Sequence, residues 1–229
     1  MINILRIILR YVVDFFDKSW RYSQKSFSQE GEDLVLEHFM GNKMGGFYVD
    51  VGAHHPFRFS NTYYFYKKGW KGINIDATPG SMVQFDKYRP RDINLEIPIA
   101  NNNQKIDYYI FDEPALNGFS ATLSKNRDKN TPYKIKTIVK LKTQKLSQVL
   151  DKYLPMGTVI DFLTIDVEGY EQAVLTSNNW VKYQPKFILV EILFSRIDNV
   201  QNSQIYKFLT KKQYSLIAIT GRTFIFKKT

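Results

Sequence analysis

The sequence predicts an α/β fold of the Rossmann-like kind, a mostly parallel seven-stranded sheet that finishes in an antiparallel hairpin, and three observations carry this. Short hydrophobic runs alternate with stretches of helical spacing, the pattern of βα units that feed a parallel sheet. The first run ends Val49-Asp50-Val51-Gly52 and the next ends Ile73-Asn74-Ile75-Asp76, spaced as in a nucleoside-binding βαβ unit. Near the C-terminus, only Gly221-Arg222 separates the strand-like runs Tyr214 to Thr220 and Thr223 to Lys227, which reads as a hairpin.

Taken in order, Ser26 to Asp33 leads into a short helix whose spacing of Leu34, Leu36 and Phe39 ends at Gly41. The first strand covers Gly46 to Val51. Ser60 to Lys68 reads as a helix capped by Ser60 or Asn61, and Gly69-Trp70-Lys71-Gly72 turns the chain into the strand Ile73 to Asp76. Pro79 opens a helix through Tyr88, and Ile93 to Ile99 is the third strand. The rhythm then breaks at 102–145, where the strands Asp107 to Phe111 and Lys134 to Leu141 flank a polar loop, Asp112 to Pro132, read as an inserted edge or lid. The lysines crowding this stretch suit a solvated edge strand that resists aggregation, ahead of a specific anion site as the other reading. A helix at Leu146 to Tyr153, the strand Asp161 to Val167, a helix from Tyr170 to Leu175, the strand Lys186 to Leu193 and a helix near Ile205 to Leu209 lead to the hairpin. Residues 26–229 thus form one domain, preceded by the segment 1–25.

With 229 residues and no cysteine, such a domain buries a core without disulfides, and zinc–thiolate and thiol chemistry are excluded. The net charge of +10 favours acidic partners: nucleic acid, anionic headgroups or phosphorylated glycans. No run reaches the roughly 20 apolar residues of a membrane span. In residues 1–18, Arg6, Arg10, Asp14 and Lys18 fall on one stripe of an amphipathic helix, whose apolar face would pack on the domain, join a partner subunit or lie in a membrane interface. Lacking a signal-peptide pattern, the chain is expected to be cytoplasmic, with peripheral membrane contact through 1–18.

The chemistry gathers at strand ends. Gly52 leaves the backbone open to a ligand, and Asp76 can accept both hydroxyls of a ribose. His54 and Pro56 stand where a dinucleotide site would place further glycines, so a nucleoside cofactor without phosphates fits better, and S-adenosylmethionine is one. The run Ile165-Asp166-Val167-Glu168-Gly169-Tyr170-Glu171 brings Asp166, Glu168 and Glu171 to one strand end, where the cofactor's positive end or a divalent metal on Asp166 and Glu168 would relieve their repulsion. Glu171, a turn along the helix, reads as a cap. For proton removal from a hydroxyl acceptor, His54, His55 and Glu191 are the candidates, with capping or packing an equal reading for either histidine, and Glu168 stands toward the acceptor or a metal.

On Ser28-Gln29-Glu30-Gly31-Glu32-Asp33, Asp50-Val51-Gly52-Ala53-His54, Ser60-Asn61-Thr62, Asp76, Ile165 to Glu171 and Val190-Glu191, the chain resembles the FkbM family of S-adenosylmethionine-dependent methyltransferases from about Phe27 to Leu193. The resemblance implies a class I methyltransferase fold and O-methylation of a sugar, glycan or other secondary metabolite. It also implies that Gln29, Asp50, Gly52, Asn61, Asp76, Ala100, Asn101 and Asp166 bind the cofactor, with Ala100-Asn101 near adenine and Asp166 near the sulfonium. His54-His55-Pro56 and Thr164 depart from the family's usual residues. No D/N-P-P-aromatic motif follows the strand at Asp166, which argues against base amines as acceptors. Methylation of RNA, supported by charge alone, and a cofactor-binding module without turnover are the competing readings.

Overall fold

The computed structural model describes residues 21–193 and 197–229, so the amphipathic segment 1–18 lies outside the described residues. Strands β1 (Phe47–Val51), β2 (Lys71–Asp76), β3 (Ile93–Glu96), β6 (Phe162–Ile165) and β7 (Phe187–Glu191) run parallel. With β8 (Tyr214–Thr220) and β9 (Thr223–Lys228) they form a seven-stranded sheet in the order β3-β2-β1-β6-β7-β9-β8. The last strand, β9, slots between β7 and β8 and is antiparallel to both. That is the expected hairpin ending.

Alternation along the strands divides the core between the two faces of the sheet. Val49, Val51, Leu163, Ile165, Ile188 and Val190 pack against α5 (Leu146–Tyr153), α6 (Glu171–Ser177) and α7 (Gln204–Lys211). Tyr48, Phe162, Phe187 and Leu189 meet Trp70, Leu36 of α1 (Glu32–Met40) and Phe65 of α2 (Tyr63–Lys67). Strands buried on both faces need near-continuous apolar runs, and β6 and β7 supply them, with Thr164 and Glu191 as their polar members.

Several boundaries differ from expectation. Helix α2 begins at Tyr63 rather than Ser60, although the Ser60 hydroxyl does accept the Tyr63 N–H at 3.1 Å, as a cap would. Helix α3 (Met82–Tyr88) starts three residues after Pro79, which sits in the turn before it. Strand β3 stops at Glu96, and Ile99 makes only an isolated bridge to Gln144. The 102–145 region is not an edge of the main sheet. Its strands β4 (Lys105–Phe111) and β5 (Ile135–Lys142) pair only with each other, and the expected polar loop holds a 3-10 turn (Pro114–Leu116) and helix α4 (Ala121–Asn130). Helix α4 is nearly all polar and buries only Ser124, so hydrophobic periodicity could not reveal it.

Candidate active site

Strand β1 has β2 and β3 on one side and β6 and β7 on the other, and at this reversal of strand order a cleft of about 290 Å³ opens at the carboxyl ends of the strands. Gln29, Asp50, Gly52, His54, Asn61, Asp76, Asp166, Glu168 and Glu191 all line it. Ala100 and Asn101 do not: Ala100 is buried with its N–H on the Gln144 carbonyl, and Asn101 is exposed. Ile97 and Ile99 line the cleft instead, because the chain leaves strand geometry after Glu96 and brings these apolar residues beside Asp76.

The cleft has two chemically different halves. In the first, the Asp76 carboxylate is held by the backbone N–H groups of His54 (2.9 Å) and Thr78 (2.7 Å). His54 aims its N–H from a left-handed backbone, φ 55°, uncommon outside glycine. Carboxylate oxygens accept more than one hydrogen bond, so this acid is fixed and still able to receive hydroxyls. The Thr78 hydroxyl meets Tyr108 Oη at 2.8 Å and receives Asn117 Nδ2 at 3.3 Å, which ties the β4–β5 flap to the tip of β2. Tyr108, Asn117 and Phe119 all line the cleft and had no motif to mark them.

Gly52 acts differently from the expected opening for a ligand. Its φ is +91°, and a Cβ there would lie 1.7 Å from the Asp166 carbonyl oxygen. The glycine lets the ends of β1 and β6 close on each other, which is how Asp50 and Asp166 reach one cleft.

The second half is acidic. Ligand oxygens of Asp166, Glu168 and Glu191 lie within 4.8 Å of one another, so Glu191 joins the pair expected to hold a metal. All-oxygen donors suit a hard divalent cation, but Arg127 already contacts Glu168, and Arg222 Nε stands 3.5 Å from Glu191 Oε1. Glu191 is 7% exposed, and its Oε2 is buried without a hydrogen-bond partner. Burial first, then the charge of Glu168, push its pKa up to about 7. Asp166 is enclosed by protein on most sides yet has its carboxylate open to the cleft. Loss of hydration and the charges of Glu191, Glu168, Glu171 and Asp50 raise its pKa well above the carboxylate range, and because of that opening the neighbouring charges are the firmer cause. Glu171 does not line the cleft: its Oε1 accepts the N–H groups of Val167 and Gly169 and holds the turn after β6 rather than capping the helix.

The candidate bases separate accordingly. The charged neighbours of His54 are Asp76, Arg58, His55 and Glu113, whereas those of Glu191 are Asp166, Glu168, Arg222, Glu171 and Arg127. Burial lowers the His54 pKa, and its Nε2 is buried without a partner. His55 holds a turn rather than capping a helix, its Nδ1 accepting the N–H groups of Phe57 and Arg58.

A buried polar network supports the floor. Asp50, raised to about 7 by burial against the opposing pull of Arg89, accepts the Thr62 hydroxyl at 3.0 Å. Arg89, fully buried, donates to Thr62, to Tyr48 Oη and to Asp92. Asn61 Nδ2 donates to Thr164 Oγ1 at 3.0 Å and so braces the β1 loop against β6.

A parallel sheet of this order, closed by an antiparallel penultimate strand and carrying acids at the tips of β2, β6 and β7, defines the class of Rossmann-like methyltransferases. A model of the FkbM methyltransferase domain matches residues 50–216, and the chain belongs to that family. Among solved structures, the crystal structure of a putative RNA methyltransferase from Pyrococcus horikoshii is similar at 9% identity and a TM-score of 0.46, with 87% of this chain and 81% of that one covered. No curated protein matches the chain.

Proposed function

We propose that the protein transfers the methyl group of S-adenosylmethionine to a hydroxyl of a sugar, glycan or other secondary metabolite. The observation that carries this reading is the division of the cleft: a fixed acid beside apolar Ile97 and Ile99 in one half, an acidic cluster in the other. Asp76 would take the ribose hydroxyls, and Ile97 and Ile99 would flank adenine. Asp50 and Asp166 would face the positively charged end. The bound cofactor supplies a methyl carbon already activated by positive sulfur. What remains for the protein is to hold the acceptor oxygen in line with that carbon, where orientation supplies much of the acceleration, and to remove the hydroxyl proton.

Glu191 takes the proton. It lines the acidic half of the cleft, and its pKa of about 7 matches a base working near neutrality. His54, in the Asp76 half, positions that acid through its backbone. A divalent cation on Asp166, Glu168 and Glu191 is the second reading, favoured by their 4.8 Å grouping; such an ion would acidify the hydroxyl directly.

Glu191→Gln should lower kcat by about 10²- to 10⁴-fold with little change in cofactor affinity. Below its pKa Glu191 is protonated and accepts nothing, so wild-type kcat should rise with pH and level off above about 7. Loss of the wild-type rate on chelation, restored by magnesium, would transfer the role to the cation. Undiminished turnover in Glu191→Gln would remove Glu191 from the reaction.

A further inference from the structure

The β4–β5 flap carries an outward face that neither the cleft nor the core uses. Lys105 and Asp107 of β4 and Ile138, Lys140 and Lys142 of β5 share it, all exposed, with the bulged Lys136 and Lys134 alongside. Lys142 pairs directly with Lys105, whereas Lys140 faces Asp107 with Nζ 3.4 Å from its carboxylate. Directly opposed like charges weaken a two-stranded sheet. A strand that needed only a soluble edge would be served as well by alternating signs, so edge protection does not account for Lys105 against Lys142. The other acids of the flap are engaged elsewhere: Asp112 accepts the Lys134 N–H, Asp128 the Ile135 N–H, and Glu113 pairs with Arg58.

The composition of the face separates its partners. Its cations are all lysines, with no arginine fork for bases or phosphates; the ring opposite Ile138, that of Tyr109, is 5% exposed, and the exposed ring of Tyr133 stands at the margin beside Lys134. At its centre Ile138 is 49% exposed. Lysine heads around an exposed aliphatic side chain match a bilayer interface, where apolar groups sink to the acyl boundary and ammonium groups stay among the headgroups. We propose that this lysine face docks the protein on an anionic lipid surface. Tyr133, 44% exposed next to Lys134, also lines the cleft, so docking would set the cleft mouth close to the bilayer. If the methyl-transfer reading holds, the acceptor hydroxyl is then one presented at a membrane.

The test uses the full chain. Flotation with vesicles of phosphatidylcholine containing about one-third phosphatidylglycerol should carry the protein, pure phosphatidylcholine should not, and half-molar salt should release it. At roughly fivefold per lysine, the variant K105Q/K140Q/K142Q should partition about 100-fold more weakly while keeping its circular dichroism and its affinity for S-adenosylmethionine. Equal flotation of variant and wild type overturns the inference, including the case in which residues 1–18 alone carry binding. So does wild-type protein that floats with neither vesicle, or that binds an RNA oligonucleotide through these lysines instead. Flotation lost in the variant by a wild type that binds no S-adenosylmethionine would keep the lipid face and sink the methyl-transfer reading.

Discussion

Gly52 is constrained twice over, by its left-handed φ and by the Asp166 carbonyl that a methyl group there would strike. Gly52→Ala should therefore destabilise the fold by about 2 kcal/mol or more, read as a lower urea midpoint, because both backbone strain and overpacking oppose it. An unchanged midpoint would show that the two strand ends can part freely. The sequence made the glycine visible, but its reason lay in a strand more than a hundred residues away. The strand-tip acids were legible for the opposite cause: Asp50, Asp76, Asp166 and Glu191 each lie at or near the carboxyl end of a hydrophobic run, and in a parallel sheet those ends converge. Ala100 and Asn101 rested on the family resemblance alone; with β3 ending at Glu96, Ile97 and Ile99 line the cleft instead.

At the scale of elements, the flap shows where pattern reading stops. Its two strands were readable from β-branched and aromatic runs, but pairing with each other rather than with the main sheet is a tertiary choice. Helix α4 rests on polar contacts, the Ser120 cap on the Leu123 N–H and the Arg127–Glu168 pair, with little apolar burial to hold it down. Such elements open at low cost in free energy. Trypsin should thus cut first among Lys125, Arg127 and Lys129, and S-adenosylmethionine should slow that cutting several-fold, since Arg127, Asn117 and Phe119 all line the cleft. Cleavage at an equal rate with and without cofactor would mean that the flap does not report on the site.

For the whole molecule, the parallel strands β1, β2, β3, β6 and β7 bring the two halves of the site to one cleft, and the two sheet faces bury the core that fixes them. Among the described residues, no helix is long and apolar enough to cross a membrane. Family and fold together establish methyl transfer as the class of reaction. The proposed function rests on S-adenosylmethionine bound across the two halves of the cleft. Calorimetric titration of the purified protein with S-adenosylmethionine, beside Asp76→Ala, tests it most directly. One cofactor should bind per chain, NAD should not compete, and Asp76→Ala should weaken binding about 10- to 100-fold, or roughly 1.5–3 kcal/mol, through loss of the ribose acceptor. Absent binding, or an affinity unchanged in Asp76→Ala, would contradict it.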